Sequence, residues 1–182
     1  EAMNYFALQV KTRNEDRYLK LARSQLSAKG FLTEREGRFL WPLRKLTIRR
    51  RGRLHETLAP IFPGYVFLEA DSLAPEVYWT LKRIDGFFRF LGNNQNIEPL
   101  EGRDRELLLH FLDFGEVVEK SEVYYDTDNR IRVVAGPMKG IEGKIVKVDR
   151  RKQRAKVELN LYKDSFLIDF GFELIEPAGK PP

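Results

Sequence analysis

Apolar and polar residues alternate along the carboxy-terminal third of the chain, with the period of two that marks a strand buried on one face. The alternation is clearest from Lys144 to Val148 and from Ala155 to Leu161. Glycines that permit tight turns lie between the predicted strands: Gly136, Gly140 and Gly143. The pattern predicts a compact β module over Arg130–Glu158, built from three short strands and a basic turn.

The amino-terminal part combines strand and helix patterns. An apolar run over Tyr5–Val10 predicts a buried first strand. Asn14 then offers a helix N-cap, and apolar residues recur at helical spacing over Tyr18–Leu26. Two further helices are predicted, one over Pro75–Arg83, where the proline suits a first turn, and one over Glu101–Phe114.

Segments of high β propensity separate these helices. Phe39–Ile48 is a weaker strand candidate interrupted by Pro42, and it leads into an arginine-rich stretch that predicts a basic hairpin. Ile61–Glu69 predicts a strand after a Pro-Gly turn, and Phe87–Gly92 predicts a short aromatic strand or loop. The expected fold class is α+β, with an amino-terminal antiparallel sheet flanked by helices and a separate carboxy-terminal β module.

Composition and charge divide the chain. Its 182 residues, 42% of them hydrophobic, suffice for one large or two small domains with buried cores. The net charge is +5, yet residues 114–126 carry Lys120 against four acids: Glu116, Glu119, Glu122 and Asp126. We therefore expect an amino-terminal domain over 3–113, an acidic linker over 114–126 and a carboxy-terminal domain over 127–177.

The sequence contains few of the features expected of a catalytic or metal-binding site. The chain has no cysteine, and its two histidines, His55 and His110, have no neighbours at metal-ligand spacing. The glycines of Gly136–Lys144 fail the phosphate-loop spacing, and Ile145 stands where a hydroxyl would bind magnesium. No apolar run approaches the length of a membrane span. We expect a cytoplasmic protein that is not an enzyme and has no cofactor, no metal and no membrane contact.

Basic clusters favour nucleic-acid binding. The candidate contacts are the cations of two predicted hairpin tips: Arg49, Arg50, Arg51 and Arg53 in the first, and Arg150, Arg151, Lys152 and Arg154 in the second. Flexible basic loops neutralise phosphates without reading sequence. For the first hairpin, a solvated loop that only keeps the chain soluble explains the same residues, and both interpretations of that hairpin stay open.

Aromatic residues suggest a protein partner. A small domain rarely buries every ring, so surplus aromatics predict an exposed apolar patch. Tyr162 lies at a predicted loop beside a strand end, where one exposed ring can anchor a partner or stack on a base. The same ring could equally close the rim of a small barrel.

Four segments together resemble the NusG family of transcription elongation factors, over nearly the whole chain. Tyr5–Lys11 resembles the start of the family, with Tyr5 where tryptophan is usual. Phe62–Phe67 resembles its central motif, and Gly86–Gly92 its phenylalanine-glycine turn. Arg130–Glu158 resembles a KOW motif.

The resemblance implies a fold and a mechanism. It implies an NGN-like domain that docks on the clamp helices of RNA polymerase, followed by an SH3-like KOW barrel that recruits a second partner. The residues that best match the docking face are Tyr5, Phe62, Tyr65, Phe87 and Leu91. The basic hairpin would lie near upstream DNA, and the factor would act as a monomer that promotes processive elongation and antitermination.

One departure bears on the second partner. Family members that bind ribosomal protein S10 or Rho commonly have phenylalanine where Tyr162 stands. The run Arg150–Leu161 looks closer to specialised paralogues such as LoaP, which contact an RNA hairpin. The sequence thus favours a specialised antitermination factor, with a housekeeping NusG or a stand-alone KOW-type RNA-binding protein as alternatives.

Overall fold

A computed structural model describes residues 3–31, 37–92 and 96–176. Its strands, in chain order, are β1 (Asn4–Val10), β2 (Arg38–Leu40), β3 (Leu43–Arg50), β4 (Arg53–Pro60), β5 (Tyr65–Ala70), β6 (Phe87–Phe90), β7 (Val117–Val118), β8 (Ser121–Tyr125), β9 (Ile131–Ala135), β10 (Ile145–Asp149), β11 (Arg154–Leu161) and β12 (Asp164–Leu174). Its α-helices are α1 (Glu15–Ala28), α2 (Pro75–Arg83) and α3 (Gly102–Leu112), and a 3-10 turn covers Glu142–Lys144.

The chain forms two compact units, each built from two segments. Unit 1 comprises Glu1–Trp41 and Phe62–Glu106, and unit 2 comprises Pro42–Ile61 and Leu107–Pro182. This division differs from the predicted boundary at residue 113, because the β3–β4 hairpin and the end of α3 group with the carboxy-terminal strands. The Phe111 ring, for example, stacks on that of Phe170 with 5.5 Å between ring centroids.

Unit 1 contains the predicted antiparallel sheet. Its strand order is β2-β5-β1-β6, and every pairing between neighbours is antiparallel. The sheet residues Phe6, Leu8 and Val66 join Leu19 of α1 and Leu81 of α2 in one buried core. The Tyr18 hydroxyl donates to the Leu81 carbonyl at 2.9 Å and so ties α1 to α2.

The start of α1 differs in detail from the prediction. Asn14 occupies the cap position, but its side chain makes no capping hydrogen bond. The buried Glu15 carboxylate instead accepts hydrogen bonds from the backbone N–H groups of Arg13 at 2.8 Å and Gly64 at 3.1 Å. Buried backbone N–H groups need an acceptor, and this one carboxylate serves both. It thereby joins the first turn of the helix to the Pro63-Gly64 turn.

Pro42 divides the predicted Phe39–Ile48 strand into two. β2 ends before it and belongs to the sheet of unit 1, whereas β3 begins after it and pairs with β4 and β7 in unit 2. Proline has no N–H to donate to a ladder, so a strand boundary at this position is favourable.

Unit 2 contains a curled sheet of the order β10-β11-β12-β8-β9. β12 pairs with β8 in parallel, and the other neighbours are antiparallel. The predicted acidic linker therefore contains strands β7 and β8. Ser121 and Val123 of β8 are fully buried, because β8 is paired with β12 on one side and with β9 on the other.

Two of the three turn glycines take the backbone conformation that the prediction required. Gly136 and Gly140 have φ angles of 100° and 89°. Gly136 also lies so close to β8 that a Cβ atom would stand 2.6 Å from the Ser121 Cα. Gly143 lies in the 3-10 turn, without a positive φ and with open space around it.

Candidate nucleic-acid interface

The β3–β4 hairpin presents the first basic cluster. The two strands pair along their whole length, and the Arg50–Arg53 pair closes the ladder at the tip. The two turn residues, Arg51 and Gly52, have φ angles of 52° and 77°, the feature that a type I′ turn requires. The four predicted contact arginines at this tip are exposed: Arg49, Arg50, Arg51 and Arg53.

The turn between β10 and β11 presents the second cluster. The Asp149 carboxylate accepts a hydrogen bond from the Lys152 backbone N–H at 2.9 Å, and Gln153 takes a left-handed φ of 52°. The same hydrogen bond lowers the pKa of Asp149 below its ordinary value. The turn is therefore held in one shape by its own backbone, with the side chains of Arg151 and Lys152 exposed.

Arg150 has an intramolecular role. Its guanidinium donates to the Asn129 side-chain oxygen at 2.9 Å and to the Asn129 carbonyl. It also lies over the Tyr125 ring, 4.2 Å from the centroid. These contacts hold the guanidinium against the β8–β9 turn, although Arg150 is still exposed. Its predicted contact with nucleic acid stays a prediction.

Arg154 connects the two clusters. Its guanidinium donates to the Thr47 carbonyl of β3 at 2.8 Å and lies 4.0 Å from the Asp169 carboxylate. Only 18% of its side chain is exposed. We expected a phosphate contact here, but the partly buried guanidinium links the hairpin to the curled sheet.

Other contacts strengthen this link. Arg44 of β3 donates to the Asp169 carbonyl at 2.6 Å and to the Pro60 carbonyl. Burial lowers the pKa of Arg44 to about 10, so the group keeps its charge at neutral pH. The Lys120 ammonium donates to the Thr47 hydroxyl and lies 3.7 Å from the Glu56 carboxylate. The hairpin is therefore packed on the sheet through charged side chains.

A cleft of about 810 Å³ lies where the hairpin meets the sheet. Its walls include Arg49 from the hairpin, and Arg151 and Lys152 from the β10–β11 turn. These residues are about a hundred positions apart in the sequence, and the predictions placed them on separate domains. The tertiary structure of unit 2 brings them to one cavity.

The predicted polymerase-docking residues are mostly buried. Tyr5, Phe62, Tyr65 and Leu91 are at most 8% exposed, and Phe87 is half-buried. Phe62, for instance, packs edge-on against Phe67 with 5.5 Å between ring centroids. Most of these side chains therefore contribute to the packed interior. The docking role that the resemblance implies for them stays a prediction.

Sequence reasoning missed the aromatics of unit 1 that are exposed. Trp79 on α2 is 50% exposed, and Phe88 on β6 is 61% exposed. Trp79 lies off the helix face whose buried positions are Val77, Thr80 and Leu81. The helical spacing of the apolar residues in α2 was therefore a signal that could have identified it.

Tyr162 lies where the sequence predicted it. It is the first residue of the two-residue turn between β11 and β12, half-buried and with a φ of 54°.

Within the ranges 3–31, 37–92 and 96–176, no group of His, Asp or Glu side chains could hold a metal ion. Over the same part of the chain, no helix is long and apolar enough to cross a membrane.

Comparisons with known proteins agree with this two-part architecture. The model of the family described as transcription termination factor NusG matches residues 3–109, and the KOW motif matches residues 127–158. A transcription termination/antitermination protein NusG of Borreliella burgdorferi is 26% identical over 74% of this chain and 77% of its own length. Its counterpart in Vibrio vulnificus is 22% identical, with 94% of each chain covered.

A solved structure has the same fold. It is described as "Domain interaction in Thermotoga maritima NusG", and it superposes with a TM-score of 0.60 over 93% of both chains at 19% identity. The folds and family matches together define a transcription factor with an NGN-like module followed by an SH3-like KOW module. The chain belongs to the NusG family, as the four sequence segments indicated.

Proposed function

We propose that this NusG-type factor binds RNA polymerase and promotes processive elongation and antitermination, acting as a cytoplasmic monomer. The observation that carries the proposal is the order of the two modules on one chain: a NusG match over 3–109 and a KOW match over 127–158. Binding the elongating state better than the paused state would shift polymerase toward elongation, because a ligand favours the state it binds more tightly.

Unit 1 is the proposed polymerase-binding unit. Its docking residues on the clamp helices are Tyr5, Phe62, Tyr65, Phe87 and Leu91. Because four of these side chains are buried, docking through them requires that they become accessible in the complex. Trp79 and Phe88 are exposed already, and aromatic rings of this kind contribute strongly when a partner buries them.

Unit 2 is the proposed nucleic-acid-binding and recruiting unit. The exposed arginines at the β3–β4 tip would lie near upstream DNA, where they neutralise phosphates. The KOW module would take an RNA hairpin as its partner, as in LoaP-like paralogues. Ribosomal protein S10 or Rho, bound beside Tyr162, is the alternative partner.

Transcription in vitro tests the proposal. The full chain added to RNA polymerase on a template with one terminator should increase readthrough, and immobilised chain should retain core polymerase. Paired variants Phe62→Ala with Tyr65→Ala, and Trp79→Ala with Phe88→Ala, separate the buried from the exposed candidate faces. Lys163→Gln, an exposed change in unit 2, is the matched control.

Thermal unfolding identifies variants that lose binding only because they lose the fold. Failure of the wild-type chain both to retain polymerase and to change readthrough would contradict the proposal. RNA binding without polymerase retention would instead support a stand-alone KOW-type RNA-binding protein. Retention of polymerase by every variant would exclude both aromatic faces as the docking surface.

A further inference from the structure

We propose that the cleft between the β3–β4 hairpin and the β10–β11 turn binds one single-stranded stretch of nucleic acid, contacted by both elements at once. The inference deepens the proposed function, since it combines into one site two basic clusters that the sequence assigned to different ligands. Arg49 from the hairpin and Arg151 and Lys152 from the turn are the proposed phosphate contacts.

The charge of the cleft suits a polyanion. Among the described residues that line it are five cations, Arg49, Lys120, Arg151, Lys152 and Arg154, and one carboxylate, that of Glu173. A concave wall with a large excess of one sign of charge concentrates ligands of the opposite sign. Phosphates spaced along a nucleic-acid backbone can meet several of these cations together.

The five cations have two different roles. Lys120 and Arg154 are largely buried, and both donate to Thr47 of β3. Arg49, Arg151 and Lys152 are exposed, and Arg151 makes no side-chain hydrogen bond or ion pair with any residue that the structure describes. The first pair positions the walls. The other three are accessible to a ligand, and Arg49 also donates a long hydrogen bond of 3.5 Å to the Gly52 carbonyl.

The fixed walls favour binding. Because Arg154 and Lys120 join the hairpin to the sheet, Arg49 and Arg151 are held on the same cavity before any ligand arrives. The turn that carries Arg151 is itself held by the bond from the Lys152 N–H to Asp149. A ligand thus avoids part of the entropy loss that ordering flexible basic loops would impose.

The apolar part of the cleft favours a single strand over a duplex. Ile48 and Leu54 line it beside the cations, and Leu54 is 65% exposed. Bases of a single strand can stack on arginine planes and bury part of their apolar faces against Ile48 and Leu54, whereas a duplex hides the faces of its bases. The cleft therefore offers one surface for phosphates and another for bases.

Fluorescence anisotropy with the full chain and a roughly ten-nucleotide labelled uridine oligomer tests the inference directly. Arg49→Gln and Arg151→Gln should each weaken binding about fivefold near 0.1 M salt, and each should reduce the log–log salt slope by about 0.7. Lys163→Gln removes an exposed cation at the opposite end of β11 and should leave both quantities unchanged.

Variants on the two sides of the cleft distinguish a composite site from a site on one side alone. If Arg151→Gln weakens binding but Arg49→Gln does not, the site belongs to the KOW turn alone and the composite cleft is wrong. If Lys163→Gln weakens binding as much as the cleft variants, the chain binds by general charge and the inference fails. Photocrosslinks from a thiouridine oligomer to peptides of both β4 and the β10–β11 turn would support it independently.

Three further ligands complete the test. A DNA oligomer of matching sequence distinguishes RNA from DNA as the source of the strand, and either one satisfies the inference. If a duplex binds as tightly as the single-stranded oligomer, the site is not specific for a single strand. If a polyglutamate peptide binds more tightly than the oligomer, nucleic acid is not the ligand. These binding measurements contain no polymerase. If the oligomer does not bind, the cleft is not a nucleic-acid site, while the transcription test of the proposed function can still succeed.

Discussion

The guanidinium of Arg154 donates a hydrogen bond to the carbonyl of Thr47 at 2.8 Å, across 107 positions of sequence. Arg154 begins β11 of the curled sheet, and Thr47 lies within β3 of the basic hairpin. This bond, together with those of Arg44 and Lys120, places the hairpin in the same compact unit as the KOW strands. A cation that the sequence assigned to nucleic acid is thus part of the architecture that forms the cleft.

Replacing Arg154 with alanine should loosen the hairpin. The Thr47 carbonyl loses its charged donor in a part-buried position, which should cost about 1–3 kcal/mol. Hydrogen exchange of the β3 and β4 amides should become faster, since the contact that holds the hairpin is lost. Arg151→Ala, a neighbouring exposed cation, should leave the exchange unchanged. Equal exchange in both variants would show that the Arg154 bond does not hold the hairpin.

Replacing Gly136 with alanine should destabilise the curled sheet. The added Cβ would stand 2.6 Å from the Ser121 Cα and 2.8 Å from its Oγ, at a residue with a φ of 100°. The left-handed backbone alone costs about 1–2 kcal/mol, and the clash with β8 adds to it. The melting temperature of the full chain should fall clearly.

Gly143→Ala is the matched control for that measurement. Gly143 has no positive φ, and an added Cβ would meet nothing within 4 Å. Its effect should be small, or stabilising by up to about 1 kcal/mol, because alanine restricts the unfolded chain. A loss as large as that of Gly136→Ala would contradict the steric explanation.

Replacing Arg51 with asparagine should stabilise the hairpin while it removes a cation. Arg51 has a φ of 52° in a two-residue turn before Gly52, and asparagine is far better suited to this position than arginine. The hairpin amides should exchange more slowly, and the log–log salt slope for duplex DNA should decrease by about 0.9.

Arg50→Asn provides the comparison for the turn. Arg50 is the last residue of β3 and pairs with Arg53, so this variant loses the same charge without gaining a better turn residue. It should reduce the salt slope equally and leave the hairpin no more stable. If Arg50→Asn slowed exchange as much as Arg51→Asn, charge relief rather than turn geometry would be the cause.

The β8–β9 turn should lose stability in acid. A backbone hydrogen bond from Arg130 and the ion pair with Arg132 lower the pKa of Asp126 below its ordinary 3.8. A carboxyl group with a lowered pKa in the folded state stabilises the fold above its ordinary pKa, and that contribution disappears as the pH falls through the lowered value.

Unfolding of the wild type and Asp126→Asn as a function of pH checks this prediction. The wild type should be more stable near neutral pH, and the difference should shrink as the pH falls below about 4. The variant retains an oxygen that can accept from the Arg130 N–H. Its amide nitrogen cannot accept from the Arg132 guanidinium, so the pH dependence of the difference, rather than its size, reports the carboxylate charge. A difference that stays constant down to pH 2 would show that the carboxylate charge is not responsible.

Local patterns predicted most of the secondary structure. α2 covers Pro75–Arg83 as predicted, because proline at the first turn and the following spacing act within a few residues. The alternating runs became β10 and β11 with small changes at their ends, and the two arginine-rich strands formed a hairpin around Arg51-Gly52. Such signals depend on near neighbours, which a sequence displays directly.

The acidic segment shows where local patterns fail. Its composition predicted a linker, but β8 is paired with β12 some fifty residues further along the chain, for example Ser121 with Phe172. A strand of this kind is stabilised by its partners rather than by its own residues, because β propensity depends mostly on context. The burial of Tyr5 and Phe62 also depends on distant elements, because an aromatic motif does not reveal which helices and strands will cover it.

The two basic clusters show the same difference between what the sequence reveals and what only the packing reveals. Sequence identified both clusters, their charge and the family to which they belong, because those properties are carried by the residues themselves. It could not separate Arg151, which is exposed, from Arg154, which is bonded to Thr47, since both stand in one short basic run. Only the packing of a distant hairpin decides which cations remain available, and that packing places Arg49 beside Arg151 and Lys152 in a single cleft.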